Sequence, residues 1–334
     1  MAIPYSVLDL APVLEGGTLA QSFRNMVDLA QRTEGWGYTR YWLAEHHAHP
    51  GVASAAPVVL IGHVLDHTKT IRVGSGGIML PNHSPLIIAE QFGTLETLHP
   101  GRVDLGLGRA PGTDQRTAAA LRRHGTPTHD SFPQDVLELL QYFGPAPEVP
   151  PDAKYVRAIP GEGLSVPLYI LGSSLYGAEL AAALGLPFAF ASHFAPEYLD
   201  QALALYRANY RPSPANPKPH AIATLNVIAA DDSARARYLF TSLQQHFLNL
   251  GRGRPQALER PVDDVTSFAS PGDQARLRSK LGGTIVGDRT EIHAGIEGFL
   301  ERTQADELLL TALIYDHEAR CRSFAIAAEI MKGK

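Results

Sequence analysis

Short runs of apolar, strand-forming residues recur along the chain, and between them the apolar positions switch to helical spacing. The first run, Ile3 to Leu10, is followed by Leu19, Phe23, Met26, Val27 and Ala30, which share one helix face. Thr18 is placed to cap that helix, and Gly35 and Gly37 to stop it. The alternation then continues. Strands are predicted at Tyr38–Leu43, from Ile71, at Val103–Gly108, Pro167–Leu171, Pro187–Ala191, His220–Ala229 and Glu307–Leu313. Helices are predicted after them: Ser54–Asp66, Ser84–Leu98, from Pro133 to before Pro145, Leu175–Gly185, Pro196–Tyr210, from Asp231 to Leu250, from Asp288 or Thr290 to Thr303, and His317–Met331.

Each strand is short, reads as buried on both faces and is followed by a helix, which implies a parallel sheet. Eight such units fit an α/β fold of the (β/α)8 TIM-barrel type in one domain spanning residues 1–334. A doubly wound sheet is the alternative. Residues 251–283 show no clear period and are rich in Gly, Pro, Arg and Asp. They are expected to form an insertion after strand seven, a mobile lid or excursion.

Composition narrows the function classes. The chain has 334 residues, 45% of them apolar, and a net charge of -5, which argues against a nucleic-acid or anionic-membrane partner. One cysteine, Cys321, rules out an internal disulfide and fits a cytoplasmic protein. No apolar run is long enough to span a membrane, and the first residues do not read as a signal peptide.

In a parallel barrel the C-terminal strand ends converge on one face, so the residues just past each strand carry the candidate chemistry. Strand two runs into Glu45, His46 and His47, with His49 beyond. Adjacent imidazoles beside a carboxylate suit proton transfer near neutral pH. Their spacing matches no usual zinc pattern, so no metal is expected. His63 and His67 have the spacing of a metalloprotease helix, but Val64 stands where that motif needs its glutamate, so they read as structural.

Gly76 and Gly77 fall inside strand three, where glycine marks a bulge or a close approach of ligand to backbone. Ser173 and Ser174, with Gly177, open a helix, which offers backbone donors and a positive dipole end to a phosphate, with Arg109 as a charged clamp. The bland alternative is that the serines only cap that helix. Asp9, Ser192 and His193 complete the strand-end set. Gly106, Gly108 and Gly112 lie near a dinucleotide fingerprint but have the wrong spacing and follow the wrong strand.

Four ordered motifs make a resemblance specific. Trp42 to His47, Val73 to Pro81, Pro100 to Arg109 and Leu171 to Gly177 together resemble bacterial luciferase and its flavin-dependent monooxygenase relatives, over most of the chain. The resemblance implies a (β/α)8 barrel that uses reduced FMN, delivered by a separate flavin reductase, and O2 to oxidise a small organic substrate through a flavin 4a-hydroperoxide. It implies that His46 is catalytic, with Glu45 orienting it and His47 beside it. It implies that Gly76–Gly77 is a cis peptide beside the flavin ring, and that Arg109, Ser173, Ser174 and Gly177 hold the phosphate. His193 joins the cofactor-binding set, and a homodimer is expected.

Two departures stand out. Gly108 replaces a reactive cysteine of the luciferase catalytic subunit, and Ser173 and Gly177 replace an acid and a hydroxyl residue. A deazaflavin-dependent hydride-transfer enzyme on the same barrel, or a non-catalytic flavin-binding protein, remain the competing readings. The substrate itself is not legible.

Overall fold

The computed structural model describes residues 3–110, 112–121, 131–145 and 156–333. Among these residues the nine parallel strands are β1 (Tyr5–Asp9), β2 (Arg40–Leu43), β3 (Arg72–Met79), β4 (Val103–Gly108), β5 (Leu168–Gly172), β6 (Phe188–Phe190), β7 (Ala221–Ala229), β8 (Ile285–Gly287) and β9 (Glu307–Thr311). Neighbours run in the order β6-β5-β4-β3-β2-β1-β9-β7-β8, and β6 also pairs with β7. That last pairing closes the ring: β1 to β7 and β9 form an eight-stranded barrel, as the sequence pattern predicts. β8 lies outside it, on the last three residues of β7, whose first part pairs with β9.

Among the described residues there are eleven helices: α1 (Leu19–Gly35), α2 (Pro57–His67), α3 (Pro85–Leu98), α4 (Gln115–Leu121), α5 (Phe132–Phe143), α6 (Leu175–Leu184), α7 (Leu199–Asn209), α8 (Ser233–Gly251), α9 (Pro271–Leu281), α10 (Arg289–Thr303) and α11 (His317–Met331). Caps set several of their starts. Thr18 Oγ1 accepts from Gln21 N at 3.2 Å, Asp232 rather than Asp231 caps α8, and Asp288 forms a capping box with Glu291.

The 251–283 segment differs from its irregular reading. Ser270 and Asp273 make a reciprocal capping box with Pro271 at the first turn, and α9 follows. The start signal is in the sequence, but the helix is strongly polar and buries only Leu277 and Leu281, so apolar periodicity does not reveal it.

Side-chain alternation divides the core in two. Val7, Tyr41, Leu43 and Val73 face outward into the large layer between barrel and helices. Leu8, Trp42, Ala44, Tyr169, Ala189, Ile222 and Leu309 face inward and fill the lumen. The N-terminal end of the lumen is closed by buried charge. Arg40 reaches Glu307 at 2.8 Å, Asp104 at 2.9 Å and the Tyr169 hydroxyl at 2.7 Å, and Arg72 also holds Asp104. The C-terminal end is left open.

Candidate active site

At that open end lies a cavity of about 590 Å³. His46, Gly76, Gly77, Arg109, Ser173, Ser174, Gly177 and His193 all line it, so strand ends β2 to β6 deliver these sequence-picked residues to one place. Its inner wall is apolar, formed by Leu8, Ala44, Leu171, Ala189 and Leu309.

Glu45 and His47 do not line the cavity. The period of two that turns Trp42, Ala44 and His46 inward turns Glu45 the other way. The Glu45 carboxylate accepts from His47 Nε2 at 2.7 Å, from His83 Nε2 at 2.8 Å and from Met79 N at 2.9 Å. Burial would raise its pKa. The hydrogen bonds from His83, His47 and the Met79 amide outweigh that and hold it below the ordinary carboxylate value. The expectation that Glu45 orients His46 is therefore corrected: Glu45 ties the β2 exit to the end of β3, and His83, on the β3–α3 connection, is a partner that no motif announces. His46 is held instead by its backbone. His46 N donates to Ser54 O at 3.0 Å, and Ser54 Oγ donates to Ala44 O. Ser54 is thus spent on this turn and does not begin α2.

Asp9, also at a strand end, is likewise withdrawn. It is fully buried and accepts from Ala11 N, Tyr41 and Arg320.

Burial pulls the pKa of His46 down to about 4, with His49 and His47 adding to the effect against Glu45. Burial, then His46, pulls that of His193 down to about 3. Both imidazoles are neutral at pH 7. The Nδ1 atoms of His46 and His193 are buried without a hydrogen-bond partner among the described residues, which is costly unless a ligand supplies one. A third histidine, His246 on α8, lines the same cavity and is pulled down to about 4 by burial, His49 and His46. Sequence reading misses His246: it sits mid-helix with no motif around it, and only packing brings it to the His49 ring, 5.9 Å away.

The opposite side of the cavity is prepared for an anion. Ser174 occupies the α6 N-cap with extended backbone, but its hydroxyl makes no capping bond, and the first turn holds no acid. The alternative that the serines merely cap the helix is therefore not what the structure shows. Arg109 lies 4.0 Å above the Tyr176 ring and has no carboxylate partner among the described residues. At Gly177 an added Cβ would meet the Phe188 ring at 3.2 Å and Gly172 Cα at 3.3 Å, so glycine lets the helix start close onto β5.

The Gly76–Gly77 peptide is cis, as the resemblance implies, and an added Cβ at Gly76 would come within 2.7 Å of Leu8 Cδ1. Gly108 presents no thiol, and a Cβ there would meet Met79 Sδ at 2.9 Å. An uncapped helix start with a free guanidinium, orphaned imidazole atoms and an apolar wall fit a phosphate-bearing ring cofactor.

Among the described residues, Asp28, His317 and Cys321 are the one group with metal-ligand spacing, and they lie between α1 and α11, away from the cavity. No helix among the described residues is long and apolar enough to cross a membrane.

The family model described as luciferase-like monooxygenase matches residues 3–306. The chain is 54% identical over 329 residues to the uncharacterized protein YvbT of Bacillus subtilis, covering 98% of this chain and 97% of that one. It is 52% identical over 328 residues to a luciferase-like monooxygenase of Escherichia coli, with the same coverage. The crystal structure of apo-MsnO8 superposes with a TM-score of 0.87 at 32% identity, over 99% of this chain and 98% of that one. At lower identity the fold alone is shared with two proteins of different cofactor. The oxygenating constituent of 3,6-diketocamphane monooxygenase from Pseudomonas putida, in complex with FMN, superposes at TM-score 0.70 and 18% identity, over 100% of this chain and 99% of that one. An F420-dependent secondary alcohol dehydrogenase superposes at TM-score 0.71 and 16% identity, with 99% of each chain covered. With the family match running through the barrel and the cavity together, the chain belongs to the luciferase-like monooxygenases.

Proposed function

We propose that this protein is an FMN-dependent monooxygenase. It takes reduced FMN from a separate flavin reductase, uses O2, places one oxygen atom in a small organic substrate and releases the other as water. One observation carries the reading: a single cavity joins a phosphate-ready end, made by Arg109 and the uncapped start of α6, to neutral imidazoles at His46 and His193 with unpartnered Nδ1 atoms. Reduced FMN, when bound, supplies the two electrons and the site of oxygen activation.

The chain's own residues bind, shield and move protons. Arg109 with the Ser173, Ser174 and Gly177 backbone would hold the phosphate, and Gly76–Gly77 would face the ring. Leu8, Ala44, Leu171 and Leu309 exclude water, which a reactive flavin site requires. His46, neutral at pH 7, takes or gives a proton at its imidazole. Glu45 and His47 are positioning residues that hold the turn carrying it. Leu277 and its neighbours on α9 line the cavity, which supports the reading that residues 251–283 move to admit ligands and close over them.

The test compares FMN with a deazaflavin by thermal unfolding, because a ligand of the native state raises its stability. It then mixes photoreduced FMN and protein with oxygenated buffer. FMN is expected to protect, and protein-bound reduced FMN to reoxidise measurably more slowly than free reduced FMN, which consumes oxygen without any protein. Protection by the deazaflavin alone, with hydride transfer and no effect of the protein on FMN reoxidation, would overturn the assignment. His46→Ala is expected to keep FMN affinity and lose product formation, and undiminished turnover would remove its role.

A further inference from the structure

Two cations line the cavity without a carboxylate partner among the described residues, and Arg109 accounts for only one anion. The other is Arg276, on α9. Its helix neighbours at the cavity are already spent. Asp273 accepts from Arg252 at 2.7 Å and from Ser270, and Lys280 reaches Glu197 at 3.2 Å. Arg276 uses a single donor, Nη1, on the Gly251 carbonyl at 2.8 Å, which leaves most of its guanidinium fork unused.

Arg276 is exposed and rests over the end of α8: an added Cβ at Gly251 would fall 2.4 Å from Arg276 Nη1 and 3.1 Å from its Cδ, so a side chain there would push the guanidinium aside. That contact and the free carbonyl at a helix C-terminus seat a positive charge facing the cavity. Arg109 follows β4, whereas α9 packs on α8 after β7 and its end is tied by Lys280 to Glu197 after β6. The two cations therefore belong to different sectors of the mouth.

We propose that Arg276 binds an anionic group on the organic substrate, so that the substrate is a carboxylate or a like organic anion whose apolar, reacting part enters the cavity. This rests on the monooxygenase reading, in which Arg109 and α6 take the cofactor phosphate. The same chemistry at Arg276 could instead serve that phosphate, and the experiment separates the two.

FMN-saturated protein is titrated with matched pairs, octanoate with octanamide, 3-phenylpropionate with its amide, and N-acetyl-S-benzylcysteine with its amide, and followed by thermal unfolding. At least one acid is expected to bind more tightly than its amide. Arg276→Gln is expected to weaken that acid roughly ten- to hundredfold, the range for a charged hydrogen-bonded contact, and to leave the amide unchanged. Arg276→Lys should recover part of the preference. Gly251→Ala should lose it by displacing the guanidinium while Arg276 itself stays. No preference for any acid, or a preference that survives Arg276→Gln, overturns the proposal. So does a fall in FMN affinity with no fall in riboflavin affinity, which would give Arg276 to the phosphate. Failure of the wild-type protein to bind FMN at all is a different result, and it would remove the cofactor reading itself.

Discussion

Replacing Glu45 by glutamine isolates what its charge contributes. The side chain is fully buried, and its carboxylate accepts from two imidazoles and one backbone amide at 2.7–2.9 Å. An amide keeps the shape. It can satisfy all three partners if its oxygen turns to Met79 N and both imidazoles move their protons to Nδ1, leaving Nε2 to accept. What is then lost is charge assistance, the difference between about 1 kcal/mol for a neutral hydrogen bond and about 1.5–3 kcal/mol for one to an ionised group. Shared over the three contacts and offset by the easier burial of an amide, the expected cost is about 2 kcal/mol. The native carboxyl titrates below its ordinary value near 4.5, so its stabilisation is fully present above that pH and disappears as pH falls through the lower folded value. The assay is urea unfolding followed by the fluorescence of buried Trp42. At pH 7 the Glu45→Gln midpoint should fall by roughly 0.5–1 M. At a pH below the lowered folded pKa the two proteins should converge, because a protonated carboxyl and an amide are then near equivalents. A difference under about 0.5 kcal/mol at pH 7, or one of equal size in acid, would refute the reasoning.

Other outcomes follow from the same geometry. Arg109→Ala should weaken FMN roughly ten- to hundredfold and riboflavin little, as read by quenching of flavin fluorescence, because among the described residues the guanidinium has no partner other than the Tyr176 ring. Equal losses for both flavins would place Arg109 on the ring rather than the phosphate. Ser174→Ala should change urea stability by under about 0.5 kcal/mol, because its hydroxyl makes no capping bond, whereas Asp288→Ala, which breaks a full capping box, should lower the urea midpoint measurably. A loss at Ser174 as large as at Asp288 would mean that the serine caps α6 after all.

The sequence by itself determined a parallel α/β fold. Strand and helix patterns alternate with short connections and strands are buried on both faces, which a doubly wound sheet shares, and the pairing of β6 with β7 is what closes the ring. The strand ends could be read in the same way, because a period of two and a strand's last residue locate the mouth whatever the packing. Hence Arg109, Ser173, Ser174 and His193 are legible from the sequence as residues of one mouth. The limits are equally physical. Tertiary structure alone decided that Glu45 turns outward to His47 and His83, since both are reached from segments whose relative placement no local pattern encodes. It alone brought His246 to His49, two residues nearly two hundred positions apart. It alone built α9, whose polar surface carries little hydrophobic signal, and aimed Arg276 at the cavity. Local spacing records which face a residue occupies. Which other element meets that face is settled only when the ring closes and the excursion after β7 folds onto it.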